Sequence, residues 1–230
     1  MFRGAAIAFR GPARWAMATI IFVGLIVPSI SAVAAETPAP QRFEIFRNGT
    51  SIGRHIMTYQ REGDLLKVSI NIDIKVTLAG LVTLFRYEHR NEETWRGDRL
   101  VALVSSSNND GDAEFVRGWE EGDDFLLEST SGARKLPGSI VSTTYWNPLI
   151  TQRSVLLNSG DGTLMKVQVV RHGEEPVEAG GTTIRASRYE FIGDLNAQLW
   201  YDATGRWVAS RFKGKDGSTI DYRLQRDAGN

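Results

Sequence analysis

The densest group of ionisable side chains lies at residues 88–93, with the sequence Glu-His-Arg-Asn-Glu-Glu. On a helix, His89 and Glu92 would share a face, where they could act as metal ligands or as an acid/base pair. On a strand, His89, Asn91 and Glu93 would share one face and the other three side chains would lie on the opposite face. Because exposed charges are the norm, we expect a salt-bridged surface in contact with water.

Other motifs of enzymes and cofactor-binding proteins are missing from the sequence. The remaining histidines, His55 and His172, lie in unrelated segments, and no H-E-x-x-H pattern is present. The chain has no cysteine, no G-x-S-x-G nucleophile elbow, no G-x-G-x-x-G turn and no P-loop. We therefore expect no catalytic residue, no metal and no cofactor, and this favours a non-enzymatic role. A hydrolase or metalloenzyme is the second alternative.

An irregular segment at residues 140–152 carries the other candidates for binding. It shows no apolar alternation, contains a proline and is rich in large side chains. Tyr145, Trp146 and Asn147 place flat rings beside an amide, a combination that could line the mouth of a barrel and bind a ligand. Trp200 is taken with them as a fourth ligand-binding candidate. The same segment could equally be a plug that closes the end of the barrel.

The strand predicted most clearly runs from Leu66 to Thr77, where Val and Ile alternate with polar residues. This period of two gives one dry face and one wet face, and fixes the register of the strand. At about 3.3 Å per residue the strand would be roughly 40 Å long, about twice the usual length. Such a strand needs a sheet around it, and its length favours a sheet that coils.

Turn signals recur along the rest of the chain at the spacing typical of all-β proteins. Asn48-Gly49 predicts a hairpin between two strands, whereas residues 81–95 have two mixed faces and predict either a long bent strand or a strand plus a helical turn. Further strands are predicted at 165–169 and 183–192, with a loop at 173–181. The fold class is all-β, a single antiparallel barrel or strongly coiled half-barrel that is lipocalin-like in outline.

The N-terminus has the pattern of a secretory signal peptide, with three arginines before an apolar run and small residues at a cleavage site near Ala34 or Ala35. An uncleaved anchor is disfavoured because Pro28 interrupts a run that is already short for a membrane span. We expect residues 1–35 to be removed and residues 36–230 to form a single β-rich domain in the periplasm. Removal of three of the 27 basic and none of the 27 acidic residues leaves a net charge of about −3. Without a basic patch, nucleic acid is not an expected partner.

Several motifs of aromatic, glycine and aspartate residues resemble an uncharacterised family of exported proteobacterial domains of unknown function. The resemblance implies a periplasmic β-rich domain and supplies no activity, cofactor or catalytic residue. The motifs are Tyr145-Trp146-Asn147-Pro148, residues 156–162, Glu92-Glu93-x-Trp95-x-Gly97-x-x-Leu100, Leu199-Trp200-Tyr201-Asp202-x-x-Gly205, Phe212, and residues 216–224.

The sequence thus predicts an exported domain whose concave face binds an apolar or amphiphilic molecule of the cell envelope, such as a lipid or a small apolar ligand. The first alternative is a structural or protein-interaction module, in which a sheet edge or residues 145–148 dock an envelope protein. An outer-membrane barrel also alternates with period two, but the uneven strands and the polar residues 226–230 disfavour it.

Overall fold

The structure, a computed structural model, describes residues 36–78 and 82–226. The predicted signal peptide lies outside the described residues. The described chain forms fourteen strands and one 3-10 helix. The strands are β1 (Gln41–Arg47), β2 (Thr50–Glu62), β3 (Leu65–Leu78), β4 (Val82–Arg96), β5 (Arg99–Asn109), β6 (Asp112–Glu121), β7 (Asp124–Ser129), β8 (Arg134–Pro137), β9 (Val155–Leu157), β10 (Leu164–Ala179), β11 (Thr182–Gly193), β12 (Ala197–Tyr201), β13 (Trp207–Lys213) and β14 (Thr219–Leu224), and the 3-10 helix is Pro148–Gln152.

All fourteen strands belong to one antiparallel sheet, which confirms the predicted all-β class. The order in the sheet is β8-β7-β6-β5-β4-β3-β2-β1-β14-β13-β12-β11-β10-β9. Strand β1 pairs with both β2 and β14, so the first and last strands lie side by side in the middle. Strands β8 and β9 form the two edges, and the sheet is open, as in the predicted half-barrel. The predicted hairpin turn is confirmed, with positive φ angles of 48° at Asn48 and 84° at Gly49.

The long hairpin β3–β4 contains the strand predicted most clearly from the sequence. Strand β3 extends one residue beyond the prediction at each end, and the described part of the ambiguous stretch, residues 82–95, is one long strand rather than a strand and a helical turn. Among the alternating Val and Ile residues of β3, Val68 and Ile70 are completely buried, whereas Ile72 and Ile74 are partly exposed. The apolar face therefore belongs to the core in its first half and leaves the core in its second half.

The predicted loop at residues 173–181 is wrong, because most of these residues continue strand β10 and pair with β11. Glycine and charged residues in this stretch gave the signal of a loop. The pairing shifts by one residue between Arg171 and Gly173, where Gly173 has a φ of 87°. A bulge of this kind accommodates a glycine within a strand without ending it.

The chain between the two sheet edges, residues 138–154, lies against the inner face of the sheet, and we call it the crossing segment. Ile140, Val141 and Ile150 are buried in the core. The segment pairs with β9 through hydrogen bonds from Thr143 N to Leu157 O and from Leu157 N to Val141 O, both 2.9 Å. It therefore fills much of the space that the curled sheet surrounds. Among the described residues, no helix has the length and the apolar character that crossing a membrane requires.

Candidate functional site

A row of side chains on the inner face of the sheet crosses five neighbouring strands. Antiparallel pairing aligns Phe43 of β1 with His55 of β2 and Ile72 of β3. The same row continues through His89 of β4 to Ser107 of β5. Directly opposed residues point to the same face of a sheet. The register therefore places two histidines on the inner face, on either side of one isoleucine.

The inner face of β4 is polar, so the expected solvated surface at residues 88–93 is wrong for this face. His89, Asn91 and Glu93 each expose 2% or less of their surface. The opposite face carries the exposed charges, where Arg90 Nη2 lies 2.5 Å from Asp73 Oδ1. Of the two alternatives considered for these residues, the structure has the strand. The expectation of a solvated surface failed because the crossing segment and the loop after β9 cover the polar inner face.

A cavity of about 170 Å³ lies at the row that contains the two histidines. Its walls come from β2, β3, β4, β13 and β14, from the crossing segment and from the loop after β9. The lining residues are His55, Ile70, Ile72, Tyr87, His89, Thr143, Thr144, Tyr145, Asn158, Ser159, Gly160, Phe212 and Tyr222. Ile72, Tyr87 and Phe212 of this lining are partly exposed to solvent.

His55 has no hydrogen-bond partner for either ring nitrogen in the described part of the chain, although only 2% of the residue is exposed. The rings of Phe43, Trp207 and Tyr222 surround it at centroid distances of 6.0, 5.3 and 5.9 Å. Burial, together with the nearby His89, lowers the pKa of His55 to about 3. The imidazole is therefore neutral at pH 7 and offers one donor and one acceptor that the described protein groups do not use.

His89 is also neutral, but its partner is part of the protein. Its Nδ1 lies 2.8 Å from Ser107 Oγ, and the Ser107 hydroxyl donates to the Gly160 carbonyl at 3.1 Å. His89 therefore has a hydrogen-bond partner within the described chain, unlike His55. Burial, with a smaller contribution from the Arg90 cation, lowers the pKa of His89 to about 4.

Tyr145 reaches the cavity from a strained three-residue turn. Its φ is 64°, and the Trp146 N–H donates to the Thr144 carbonyl at 2.8 Å across it. A large residue rarely adopts a positive φ, and turns of this type are strained. The Tyr201 hydroxyl donates to the Tyr145 carbonyl at 2.7 Å, and the ring meets Trp207 edge-on at 5.4 Å. Contacts on both sides therefore hold the turn, and such strain is typical of functional positions.

The cavity is uncharged at neutral pH. Burial and a neighbouring tyrosine raise the pKa of Tyr145 to about 12, and burial raises the pKa of both Tyr87 and Tyr222 above its usual range. Both histidines are neutral, and no Asp, Glu, Lys or Arg is among the lining residues. Because an ion would lose its hydration without gaining a counter-charge, this environment favours a neutral guest.

Glu93 fastens the crossing segment to β4. Its Oε2 accepts hydrogen bonds from Trp95 Nε1 at 2.9 Å, Trp146 Nε1 at 3.0 Å and Thr144 Oγ1 at 3.3 Å. Its Oε1 accepts from Asn91 Nδ2 at 3.1 Å. Four donors therefore satisfy a carboxylate that exposes only 1% of its residue surface. Since Trp146 uses its ring nitrogen in this cluster, it holds the turn that presents Tyr145.

The fold has a counterpart among solved structures. The crystal structure of a beta-barrel-like protein of domain of unknown function DUF1849 from Brucella abortus matches with a TM-score of 0.58. The match covers 81% of this chain and 95% of that chain, at 9% sequence identity. At this identity, the two proteins are similar in fold alone.

The family described as a domain of unknown function, DUF6134, matches residues 43–225. The chain belongs to the DUF6134 family. The matched residues include both histidines of the cavity and the whole crossing segment. The resemblance to an uncharacterised family is thereby confirmed, whereas its export and its restriction to proteobacteria stay predictions. No curated protein matches the chain.

The DUF6134 domain brings one of the four predicted ligand-binding residues, Tyr145, to the cavity wall. Asn147 instead caps the 3-10 helix, with its Oδ1 accepting from Leu149 N at 3.0 Å. Trp200 lies apart from the cavity, and its Nε1 donates to Glu175 Oε1 at 2.8 Å. The predicted role of these side chains in ligand binding stays a prediction, and the geometry favours Tyr145.

Two residues of the cavity in the DUF6134 domain, His55 and His89, were not predicted as binding residues. Each has a signal in the alternation of its strand. His55 alternates with the buried Met57 in β2, and His89 belongs to the set of residues that ends at the buried Trp95 in β4. A histidine in the same alternating set as a buried apolar residue is expected to face inward.

In the part of the DUF6134 domain that the structure describes, no three His, Asp or Glu side chains are grouped so that they could hold a metal ion. His89 and Glu92 were considered as a metal-ligand pair on a helix. In strand β4 they point to opposite faces of the sheet, because they are an odd number of residues apart. The chemistry of the cavity is therefore that of neutral hydrogen-bonding groups beside aromatic rings.

Proposed function

We propose that the protein binds a compact, uncharged molecule, about the size of one aromatic ring, in the cavity beside His55. The predicted apolar or amphiphilic ligand is thereby narrowed to a small molecule that carries a hydrogen-bonding group. The observation that carries the proposal is the buried imidazole of His55, whose two ring nitrogens have no partner among the described residues. Buried polar groups in proteins are nearly always paired with protein, water or a ligand.

The volume of the cavity supports a ligand of this size. An engineered cavity of about 150 Å³ binds benzene, and the cavity here measures about 170 Å³. The crossing segment occupies the space that a long acyl chain would need, with Val141 and Ile150 fully buried against the sheet. The volume of the cavity therefore favours a single ring over a long acyl chain.

The chemistry of the lining supports a neutral ligand with one polar group. The imidazole of His55 can donate one hydrogen bond and accept another, and Tyr145 supplies a ring at the wall. We further propose that this binding takes place in the periplasm, after export directed by residues 1–35. The signal-peptide pattern of the sequence supports that location.

Thermal unfolding in the presence of three probes tests the proposed binding. We expect phenol to raise the unfolding midpoint in a saturable manner, because a ligand that binds only the folded state stabilises it. Benzoate should have no such effect because its charge finds no counter-ion, and 1-decanol should have none because its chain is too long. Stabilisation by 1-decanol but not by phenol would overturn the compact ligand, and no stabilisation by either would overturn binding in the cavity.

A matched pair of histidine variants assigns the effect to the cavity. His55→Leu should abolish most of the stabilisation by phenol, since it removes the polar partner at similar volume. His172→Leu is the control, because His172 lies on the surface and its Nε2 contacts Glu190 Oε2 at 2.7 Å. An equal response to phenol in both variants would contradict the role of His55.

A further inference from the structure

The far end of the β3–β4 hairpin extends beyond its neighbours in the sheet. Strand β2 pairs with β3 only as far as Ile74, and β5 pairs with β4 only as far as Tyr87. Strands β3 and β4 continue to pair with each other up to Leu78 and Val82. We call residues 75–78 and 82–86 the distal ribbon. Among the described residues, contact with a third strand is confined to the base of the ribbon, where the N–H of Asp110, just after β5, donates to the Arg86 carbonyl at 2.8 Å.

The distal ribbon exposes large apolar side chains. Val82 and Leu84 each expose 55% of their surface, and the adjacent Thr83 is exposed as well. A two-stranded ribbon without further strands is marginally stable in water. Apolar side chains at a protruding position gain free energy by leaving water, which favours contact with an apolar medium.

The charges of the distal ribbon are both positive. Between Ile74 and Tyr87 the chain carries only Lys75 and Arg86 as charged residues. These two are directly opposed at the base of the ribbon, both are exposed, and Arg86 Nε lies 3.5 Å from Glu88 Oε1. Three residues separate Lys75 from the end of β3, a distance of about 10 Å at 3.3 Å per residue. This matches the depth of about 5–10 Å to which interfacial segments enter a bilayer.

A groove of about 730 Å³ continues from the ribbon base along the outer face of the sheet. Basic residues exceed acidic residues in its lining, with Arg42, Arg54, Lys75, Arg86 and Arg90 against Glu44, Asp73 and Glu88. An excess of positive charge beside the exposed side chains of Val82 and Leu84 complements a surface with anionic groups above an apolar layer.

We propose that the distal ribbon docks the protein on an anionic lipid bilayer. Val82 and Leu84 enter the boundary between head groups and acyl chains. Lys75 and Arg86 lie at the level of the lipid phosphates, with their alkyl stems along the apolar layer. Docking of this kind uses a different surface from the cavity beside His55 and does not require the ligand proposed there.

Flotation with lipid vesicles tests the docking. The purified protein is mixed with vesicles of equal parts phosphatidylglycerol and phosphatidylcholine, or with vesicles of phosphatidylcholine alone. We expect at least tenfold tighter binding to the anionic vesicles at 0.1 M NaCl, and weakening of that binding at 0.5 M NaCl because salt screens exposed charges. Absence of binding, or equal binding to both kinds of vesicle, would overturn the proposal.

Matched double variants locate the docking surface. Val82→Ser with Leu84→Ser should reduce binding to anionic vesicles at least tenfold. Val104→Ser with Phe115→Ser is the control, because these side chains expose 56% and 52% of their surface elsewhere on the sheet and should bind like wild type. Equal binding by the two double variants, whether strong or weak, would overturn the assignment to the ribbon.

A charge variant and a test of folding complete the experiment. Lys75→Gln with Arg86→Gln should remove the preference for anionic vesicles, and an unchanged preference would contradict the proposed role of these residues. All exchanged side chains are exposed, so the unfolding midpoints should match that of wild type. The single exchange Val82→Asp at the ribbon should also weaken binding to anionic vesicles, and unchanged binding would contradict the proposal. No phenol is present, so failure here leaves the test of the cavity independent.

Discussion

Glu93 and His55 are both polar side chains buried on the inner face of the same sheet, and they differ completely in their partners. Glu93 accepts four side-chain hydrogen bonds, whereas His55 makes none in the described part of the chain. Both residues expose 2% or less of their surface. Burial alone therefore does not distinguish a structural polar group from one that is available to a ligand.

The difference between these two residues separates two parts of the interior. Around Glu93, the donors come from β4 and from the crossing segment, so side chains of the protein satisfy this carboxylate and make the region rigid. Around His55, aromatic rings surround a neutral imidazole at the wall of a cavity. We infer that the region around Glu93 stabilises the fold and that the region around His55 binds a ligand.

The largest expected effect comes from removing the carboxylate of Glu93. Glu93→Leu leaves two indole N–H groups, a hydroxyl and an amide without their acceptor, and we expect a loss of about 3–5 kcal/mol in the free energy of unfolding. His55→Leu removes no hydrogen bond to a described group and should change stability by less than about 1 kcal/mol. Urea unfolding measures both free energies, and similar losses in the two variants would show that Glu93 and His55 do not differ in structural role.

The pH dependence of stability should distinguish the neutral histidines from ordinary ones. The folded-state pKa values are about 3 for His55 and about 4 for His89, against about 6.5 in the unfolded chain. Between these values only the unfolded state takes up the protons, so stability is complete above pH 6.5 and is lost as the pH falls. The slope should approach about 1.4 kcal/mol per pH unit for each histidine.

Urea unfolding between pH 4.5 and pH 7 measures this slope. In His55→Leu, the part of the slope that belongs to His55 should disappear, while the part that belongs to His89 is retained. A slope that is the same in wild type and in the variant would show that His55 is not held neutral in the fold.

A smaller effect is expected from Trp146, which supplies one of the four donors to Glu93. Trp146→Phe keeps an aromatic ring in the crossing segment and removes the N–H, so we expect a loss of about 1–2 kcal/mol. Trp119 is 37% exposed and provides the control. Trp119→Phe should change the free energy of unfolding by less than about 0.5 kcal/mol. Equal losses would contradict the anchoring role of Trp146.

The smallest effect concerns the backbone of Tyr145. Tyr145→Asn and Tyr145→Ala both remove the ring, but asparagine tolerates a φ near 64° better than alanine does. We expect the asparagine variant to be more stable by about 0.5–1 kcal/mol in urea unfolding. Equal stability, or greater stability of the alanine variant, would show that the turn relaxes when the ring is removed.

The regular part of the fold could be predicted because it depends on local alternation. Strand β3 alternates cleanly, so its position was predicted to within one residue at each end. The loop predicted at residues 173–181 failed because a glycine within a bulge gives the same local signal as a glycine in a turn. Only the pairing with β11 distinguishes the two.

The interior of the site could be predicted only in part, because its polar contacts join distant segments. The alternation of β4 placed His89, Asn91 and Glu93 on one face, but nothing local indicated that this face was buried. The partner that buries Glu93 is Trp146, more than fifty residues away. Tyr145 was predicted as a candidate because its segment is irregular and rich in rings, and irregular segments are where binding residues concentrate.

Nuclear magnetic resonance of the histidine ring nitrogens provides a direct test of ligand binding at His55, since it observes the unpartnered atoms themselves. Phenol is added to the ¹⁵N-labelled protein at pH 7, and the ring signals of His55 and of the surface residue His172 are followed together. We predict a saturable shift of the His55 nitrogens with no change at His172. His55 signals that stay unchanged at saturating phenol, or that move only in parallel with those of His172, would contradict the account.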